Sequence, residues 1–377
     1  MQFEPSPANT VGVEWELQLL DPESLDLIDG IMPLMEFFPN ATYVKPEFIQ
    51  SCVELNSCIS ENSDAAIEHL QESLQTTLQR CSELEMNVCG AGTHPFCRRL
   101  ALITPFQRYR NMAKESGYLA HRQITFSTHV HVGMASGDQA IHIMSRLIPA
   151  LSAFIALSAN SPFWRGHETG HVAYRHRILA AACNYGSPPR FDDWHAFDEF
   201  LSAARRARMI QHFKDIHWDI RPHPDFGTLE LRVMDAASDL HTVHGLVAFS
   251  RCLILRLAEA SAQDVGEVLP GDLPHWIEKQ NRFRAGLRGL DAEYIVGTNG
   301  CHRPLRDVIC DLIEFCQPIA AEINETQGLR IARELLDGRP GYQQQLDAYS
   351  SNHSARSVVK VLQQSLVNSA ATALSDN

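Results

Sequence analysis

Between residues 10 and 20 apolar and polar side chains alternate strictly, with Val11, Val13, Trp15, Leu17 and Leu19 on one face and Gly12, Glu14, Glu16 and Gln18 on the other. A period of two marks a strand with one buried and one polar face. The pattern returns three times. Over 48–59, Ile49, Val53, Leu55 and Ile59 oppose Gln50, Glu54 and Asn56. Over 124–134, Ile124, Phe126, Val130, Val132 and Met134 oppose Thr125, Ser127, His129, His131 and Gly133. Over 227–235, Leu229, Leu231 and Val233 oppose Thr228, Glu230 and Arg232. Parallel strands covered on both faces read as unbroken apolar runs, so this alternation predicts a largely antiparallel sheet.

Helical spacing fills much of the remainder. Over 62–88, Ile67, Leu70, Leu74, Leu78, Cys81, Leu84 and Val88 recur every three or four residues, with Asn62 or Ser63 available as the N-cap. The stretches 138–159 and 240–262 read as longer, more buried helices, and 274–290, 304–326 and 354–371 as further ones. Gly338-Arg339-Pro340-Gly341 reads as a loop between helices. Without repeats, low-complexity tracts or linkers, the expectation is one α+β catalytic domain over 1–377, mostly helical from about residue 240.

Composition narrows the function. A chain of 377 residues that is 45 % hydrophobic buries a large core, which excludes wholesale disorder. With 32 Lys+Arg against 45 Asp+Glu, the net charge of −13 argues against nucleic acid or an anionic membrane as partner. The uncharged stretch 147–164 contains Pro149, Ser152, Ser158, Asn160, Ser161 and Pro162, and reads as a buried helix running into a turn, not as a membrane span. Residues 1–10 lack the basic residue and apolar core of a signal peptide, so the expected location is cytoplasmic. The ten cysteines are scattered with no CxxC pair, as reduced buried thiols would be.

The polar faces carry the chemistry. Glu14 and Glu16 lie two residues apart on a strand, so their carboxylates project the same way, about 6.5–7 Å apart along the backbone. Oxygen donors of this kind suit Mg²⁺. His129 and His131 repeat the spacing with imidazoles, and Glu230 and Arg232 set a carboxylate beside a guanidinium whose planar fork fits phosphate or carboxylate. A single strand glutamate is ordinarily a solvated side chain, and an HxH pair alone can be a polar sheet face. Recurrence on four strands points instead to one wet, charged concavity that holds a cation. No GxxxxGK[ST] loop or GxSxG elbow is present, Gly90-Ala91-Gly92-Thr93-His94-Pro95 lacks the third glycine of a dinucleotide loop, and no cysteine has a histidine-paired motif. His69, His121, His142, His212 and His275 stand outside any motif and read as surface or satisfied core residues.

Several longer runs carry a resemblance: Gly12-Val13-Glu14-Trp15-Glu16, Gly92-Thr93-His94-Pro95-Phe96, His129-Val130-His131-Val132-Gly133, Ser158-Ala159-Asn160-Ser161-Pro162-Phe163, His217-Trp218-Asp219-Ile220-Arg221-Pro222, Phe226 through Asp235, and Asn281-Arg282-Phe283-Arg284-Ala285 followed by Gly289-Leu290-Asp291. In this order, over nearly the whole chain, they resemble the type 2 glutamate–cysteine ligases, within them the bacterial carboxylate–amine ligase subfamily. The resemblance implies a glutamine-synthetase-like fold, whose curved antiparallel sheet holds Mg²⁺ and the phosphates of ATP. It implies a reaction in which a carboxylate becomes an acyl phosphate and an amine displaces the phosphate, glutamate and cysteine being the substrates of the named activity. Matching positions imply Glu14, Glu16, Glu54, His129 and Glu230 as metal ligands, and His131 and Arg232 as catalytic groups facing the phosphates. Arg221 is implied at phosphate or substrate carboxylate, Arg165 and Arg175 at substrate, and the assembly is implied to be a homodimer. Asp219 and Asp235 are candidates for deprotonating the amine. The segment around His167, His171 and His176 departs from the family pattern, and 24–45 matches none of its motifs. Two other readings stay open: a metal-dependent amidohydrolase, whose HxH opens a barrel of parallel strands, and a nucleotide-binding relative without catalysis.

Overall fold

The alternating stretches become neighbours in one sheet. A computed structural model describes residues 1–40, 42–271 and 273–371. In it β1 (Val11–Leu20), β2 (Val44–Pro46), β3 (Cys52–Asn56), β4 (Asn87–Cys89), β5 (Ser127–Gly133), β6 (Ile220–His223) and β7 (Thr228–Asp235) form a seven-stranded sheet whose pairs are all antiparallel. The order is β6-β7-β5-β1-β3-β2, and β4 pairs with the half of the β1 edge that β5 leaves free. Glu14 sits opposite His129, Glu16 opposite Glu54, and Glu230 between His131 and Arg221. Directly opposed residues share a face, so this register gathers the polar positions on one side.

The other face is the core. Val11, Val13, Trp15, Leu17, Leu19, Val53, Leu55, Val130, Val132, Leu229 and Leu231 are buried against the helices Ser63–Glu83, Gly137–Leu147, Leu151–Ser158 and Leu240–Glu259. Trp15 is fully buried and donates its indole N–H to the Ala237 carbonyl at 3.1 Å. A second tie is polar. Glu325 accepts from the Ser63 backbone at 2.7 Å and from Arg251 at 2.6 Å, which pins the start of one core helix to the chain leading into Thr326–Asp337.

Four expectations change. The helix begun at 62 is capped by the Asn62 side chain on Ala65 N (2.9 Å) but stops at Glu83. A positive φ of 54° at Glu85 turns the chain, and Val88 joins the sheet as β4. The predicted helix 138–159 is two helices joined by a 3₁₀ turn at Ile148–Ala150, because Pro149 has no N–H for the ladder. The predicted helix 304–326 ends at Glu322, and Thr326 opens a separate one. Ile59, expected inward, is 75 % exposed, since β3 ends at Asn56. Gly338–Gly341 does separate two helices, and all ten cysteines are free thiols. The stretches Gly137–Ser158 and Leu240–Glu259 are long and apolar enough to cross a membrane, yet 83 % of each apolar window is buried inside the protein.

One irregularity positions the site. Leu231 pairs with Val130 but Met234 pairs with Thr128, so β7 carries one residue more than β5. This bulge takes carbonyls out of the ladder. Arg175 donates to the carbonyls of Arg232 (3.3 Å) and Val233 (3.4 Å), so they stay satisfied. Beyond the bulge Asp235 aligns with Ser127 on the polar side.

Candidate active site

A cavity of about 470 Å³ lies over the polar face. Glu14, Glu16, Glu54, His129, Arg175, Arg221, Glu230 and Arg232 line it, and the helix Gln107–Ser116 contributes Arg108 and Tyr109. The strands thus bring together every metal candidate with Arg221 and Arg232, and Arg175 joins them from the start of the helix Arg175–Leu179, so three of the four arginines named from the sequence meet here. The fourth, Arg165, lines a separate pocket.

At the β5–β7 end positive and negative groups interlock. Glu14 meets His129 Nδ1 at 3.0 Å and His131 Nε2 at 3.5 Å, and Glu230 lies 3.8 Å from the same His131 nitrogen. Arg221 Nε donates to Glu230 at 2.7 Å, and Arg232 pairs with its other oxygen. Burial alone would raise both carboxyls. For Glu14 the hydrogen bond from His129 and the charges of His131 and His129 outweigh it, and for Glu230 the charges of Arg221 and Arg232 do, so both stay well below the usual carboxylate range. Burial, reinforced by the Arg232 charge, lowers His129 to about 4, which makes it neutral. Burial pulls His131 down as well, but Glu230 and Glu14 override it and the imidazole is raised.

The β1–β3 end is different. Glu16 and Glu54 face each other across the strands, and Glu47, in the turn after β2, completes an acidic trio. Burial, followed by the Glu47 charge, pushes Glu16 up to about 7. Burial and the charges of Glu14, Glu47 and Glu16 raise Glu54 well above its ordinary value, and burial raises Glu47. Ser127 joins the two ends: its hydroxyl lies 2.8 Å from Glu16 Oε2 and 2.8 Å from His129 Nε2, while its backbone N–H donates to Glu16 at 2.6 Å.

These residues fit a divalent cation. Glu14, His131 and Glu230 each offer a ligand atom within 4.8 Å of the others. His131 Nε2 is buried with no hydrogen-bond partner, while its Nδ1 is fixed by Thr228 Oγ1 at 2.9 Å. His131 Nε2 is thus the ring nitrogen left without a hydrogen bond, whereas both nitrogens of His129, the imidazole expected on the metal, are engaged by Glu14 and Ser127.

Sequence reasoning missed Glu47, Arg108, Tyr109 and the His223–Phe226 stack (centroids 4.0 Å apart, 8° between planes) beside His131. Only His223 had a signal, since it shares the alternating face of β6 with Arg221. Of the two candidate bases, Asp219 pairs with Arg282, and fully buried Asp235 accepts through Oδ2 from Asn160 N (3.0 Å) and Ser161 Oγ (2.6 Å) while its Oδ1 has no hydrogen-bond partner. The HxH pair sits on a central antiparallel strand, which removes the parallel-barrel hydrolase reading.

Known proteins share this sequence pattern and fold. The sequence profile of the Glutamate-cysteine ligase family 2 (GCS2) matches residues 10–362. A Trichormus variabilis protein named "Putative glutamate--cysteine ligase 2" is 41 % identical over 362 residues, 96 % of this chain and 94 % of that protein. A Thermobifida fusca protein of the same name is 36 % identical over 92 % of this chain and 88 % of its own. Among solved structures, a Francisella tularensis glutamate–cysteine ligase in complex with AMP shares the fold at a TM-score of 0.69 and 12 % identity, covering 99 % of this chain and 91 % of that one. The ligase PafA, in complex with the ubiquitin-like protein Pup, does so at 0.51 and 13 %, over 93 % and 66 %.

Proposed function

The chain belongs to the glutamate–cysteine ligase family 2, and on that premise we propose that it is an ATP-dependent, ADP-forming carboxylate–amine ligase. The observation that carries this reading is the meeting of Glu14, His131 and Glu230 with Arg221 and Arg232 on one sheet face, at a cavity that Glu14, Glu230 and both arginines line. A divalent cation, Mg²⁺ in our reading, held by Glu14, His131 and Glu230 would draw charge off the terminal phosphates of ATP. Arg232, anchored on Glu230, stabilises the charge that develops on the transferring phosphoryl group from the side. No side-chain nucleophile is required, because the substrate carboxylate attacks phosphorus to give an acyl phosphate, ADP leaves, and an amine then displaces phosphate to form the amide. Tyr109, Tyr185 and the Arg108 stem wall the cavity and limit water that would hydrolyse the acyl phosphate. We assign Arg175 to the substrate side, where it is held against the bulge of β7. Glutamate with an amino acid such as cysteine is the proposed substrate pair, in a cytoplasmic homodimer whose chain forms one catalytic unit.

The test is nucleotide product analysis across carboxylate and amine pairs with Mg²⁺ and ATP. ADP and phosphate released only when both substrates are present are expected, and Glu16→Gln or Glu230→Gln abolishes release. Release of AMP, full activity in both variants, or tight ATP binding with no amine-dependent turnover would each overturn the reading.

A further inference from the structure

A second pocket, of about 510 Å³, is lined by Arg98, Arg122, Trp164, Arg165, His167 and Tyr174 together with a threonine, and by no carboxylate. None of the three arginines takes part in an ion pair among the described residues, in a chain whose net charge is −13. Arg98 is exposed and Arg122 and Arg165 are half-buried, so the pocket offers an entering anion positive charge and no competing carboxylate. The backbone works to keep them there. Arg165 and Gly166 form the two-residue turn of the hairpin Phe163–Trp164/His167–Glu168, with φ of +54° and +84°. Such a turn normally takes asparagine or aspartate first, and an arginine held in the left-handed region is an unusual choice that places its side chain at the rim. Arg98 donates through Nε to the Arg165 carbonyl at 3.1 Å and lies so close over Gly166 that a Cβ there would come within 3.1 Å of its Nη2. Trp164 and Tyr174, with centroids 6.4 Å apart, supply an aromatic wall.

We propose that this pocket is a second anion-binding site, which holds a small carboxylate or phosphate apart from the metal cavity. The two sites share walls: Arg122 and Tyr174 face the pocket, while their chain neighbours Gln123 and Arg175 line the metal cavity. Binding here therefore bears on the segment that holds Arg175 against β7. The bound oxyanion comes either from the carboxylate of an amino-acid substrate, which would deepen the ligase reading, or from free phosphate.

The test is calorimetric titration of the full-length, metal-free protein with L-glutamate and with inorganic phosphate, paralleled by Trp164 fluorescence against a Trp164→Phe control. Saturable binding is expected in the wild type. The Arg98→Gln/Arg165→Gly pair, whose glycine keeps the turn, should lose affinity roughly 10- to 100-fold, and Arg165→Lys should restore part of it. No saturable binding, or unchanged affinity in the double variant, overturns the proposal. Tighter glutamate binding, with a KM raised for cysteine but not for cysteamine in the variant, identifies the substrate carboxylate as the source; tighter phosphate binding with unchanged KM identifies the free anion. Amine-dependent ADP release in the wild type tests the ligase reading separately, and its absence alongside intact anion binding removes that reading while the pocket stands.

Discussion

At one end of the cavity Glu14 and Glu230 sit among His129, His131, Arg221 and Arg232; at the other, Glu16, Glu54 and Glu47 sit chiefly among one another, with Lys45, Arg175 and Arg232 each acting on one of them. Burial acts on all five carboxyls in the same direction. In the first pair the cationic partners outweigh burial and hold the carboxyls ionised, whereas in the second group burial prevails and like charges add to it, so these carboxyls are raised. The first end is thus balanced by its own ion pairs even before a cation joins Glu14, His131 and Glu230. The acidic end carries a mutual repulsion that positive charge entering the cavity would relieve. Removing a carboxylate should therefore have opposite consequences at the two ends.

The largest effect is expected for Glu230→Gln, which leaves Arg221 and Arg232 in the interior without their counter-charge. A loss of about 3–5 kcal/mol in urea unfolding is expected, together with loss of ADP release. A cost below about 1 kcal/mol would mean that the arginines find other partners and that the balanced end is not balanced by Glu230. Glu54→Gln should do the reverse and stabilise the metal-free protein by about 1–3 kcal/mol while still abolishing turnover. If that variant unfolds more easily than wild type without metal, the acidic end is not repulsive and the contrast collapses.

The contrast sharpens with pH. Glu16 ionises near 4.5 when unfolded and near 7 in the fold. Between those values the folded chain holds a proton that the unfolded chain has released, so the Glu16 contribution is present at low pH and lost as pH rises toward 7. The stability difference between Glu16→Gln and wild type in metal-free buffer should grow in the variant's favour by up to about 3 kcal/mol between about pH 4.5 and 7.5. Saturating Mg²⁺ should erase the trend, and a flat difference without metal would contradict it. The smallest effect belongs to Ser127→Ala. Its hydroxyl links Glu16 to His129, and removing it should cost about 1 kcal/mol and loosen the coupling between the ends. The carboxyl titration of Glu16, followed by infrared or carbon NMR spectroscopy, should move further upward; an unmoved midpoint would show that the backbone N–H of Ser127 alone sets it.

Both ends were legible to different degrees in the sequence. Glu14, Glu16, His129, His131 and Glu230 stood out because period-two alternation fixes which face a strand residue occupies, and an antiparallel register then brings such faces together. Glu47 lay hidden because it sits in an irregular turn, where its own carboxylate accepts the Phe48 N–H at 2.9 Å and no periodicity points to it. Arg108 and Tyr109 reach the cavity from a helix with no buried residue, which leaves no apolar stripe to orient it. Helix ends at Glu83 and Glu322 were missed for a related reason, since apolar spacing of three or four continues across a turn that only backbone geometry reveals. The different surroundings of His129 and His131 were also out of reach, because they depend on Ser127 and Thr228 occupying particular ring nitrogens.

The surplus residue of β7 has a bearing on how this sheet tolerates change in length. Deleting Val233 would restore one-to-one pairing with β5 and keep Glu230, Arg232 and Asp235 on the polar side, so by the logic of pattern it is a repair. It would also return to the ladder the two carbonyls that Arg175 now grips, and with them the attachment of the 161–179 segment to the floor of the cavity. The imperfect strand acts as a latch, and a shorter, more regular one would be a sheet with its door unhinged.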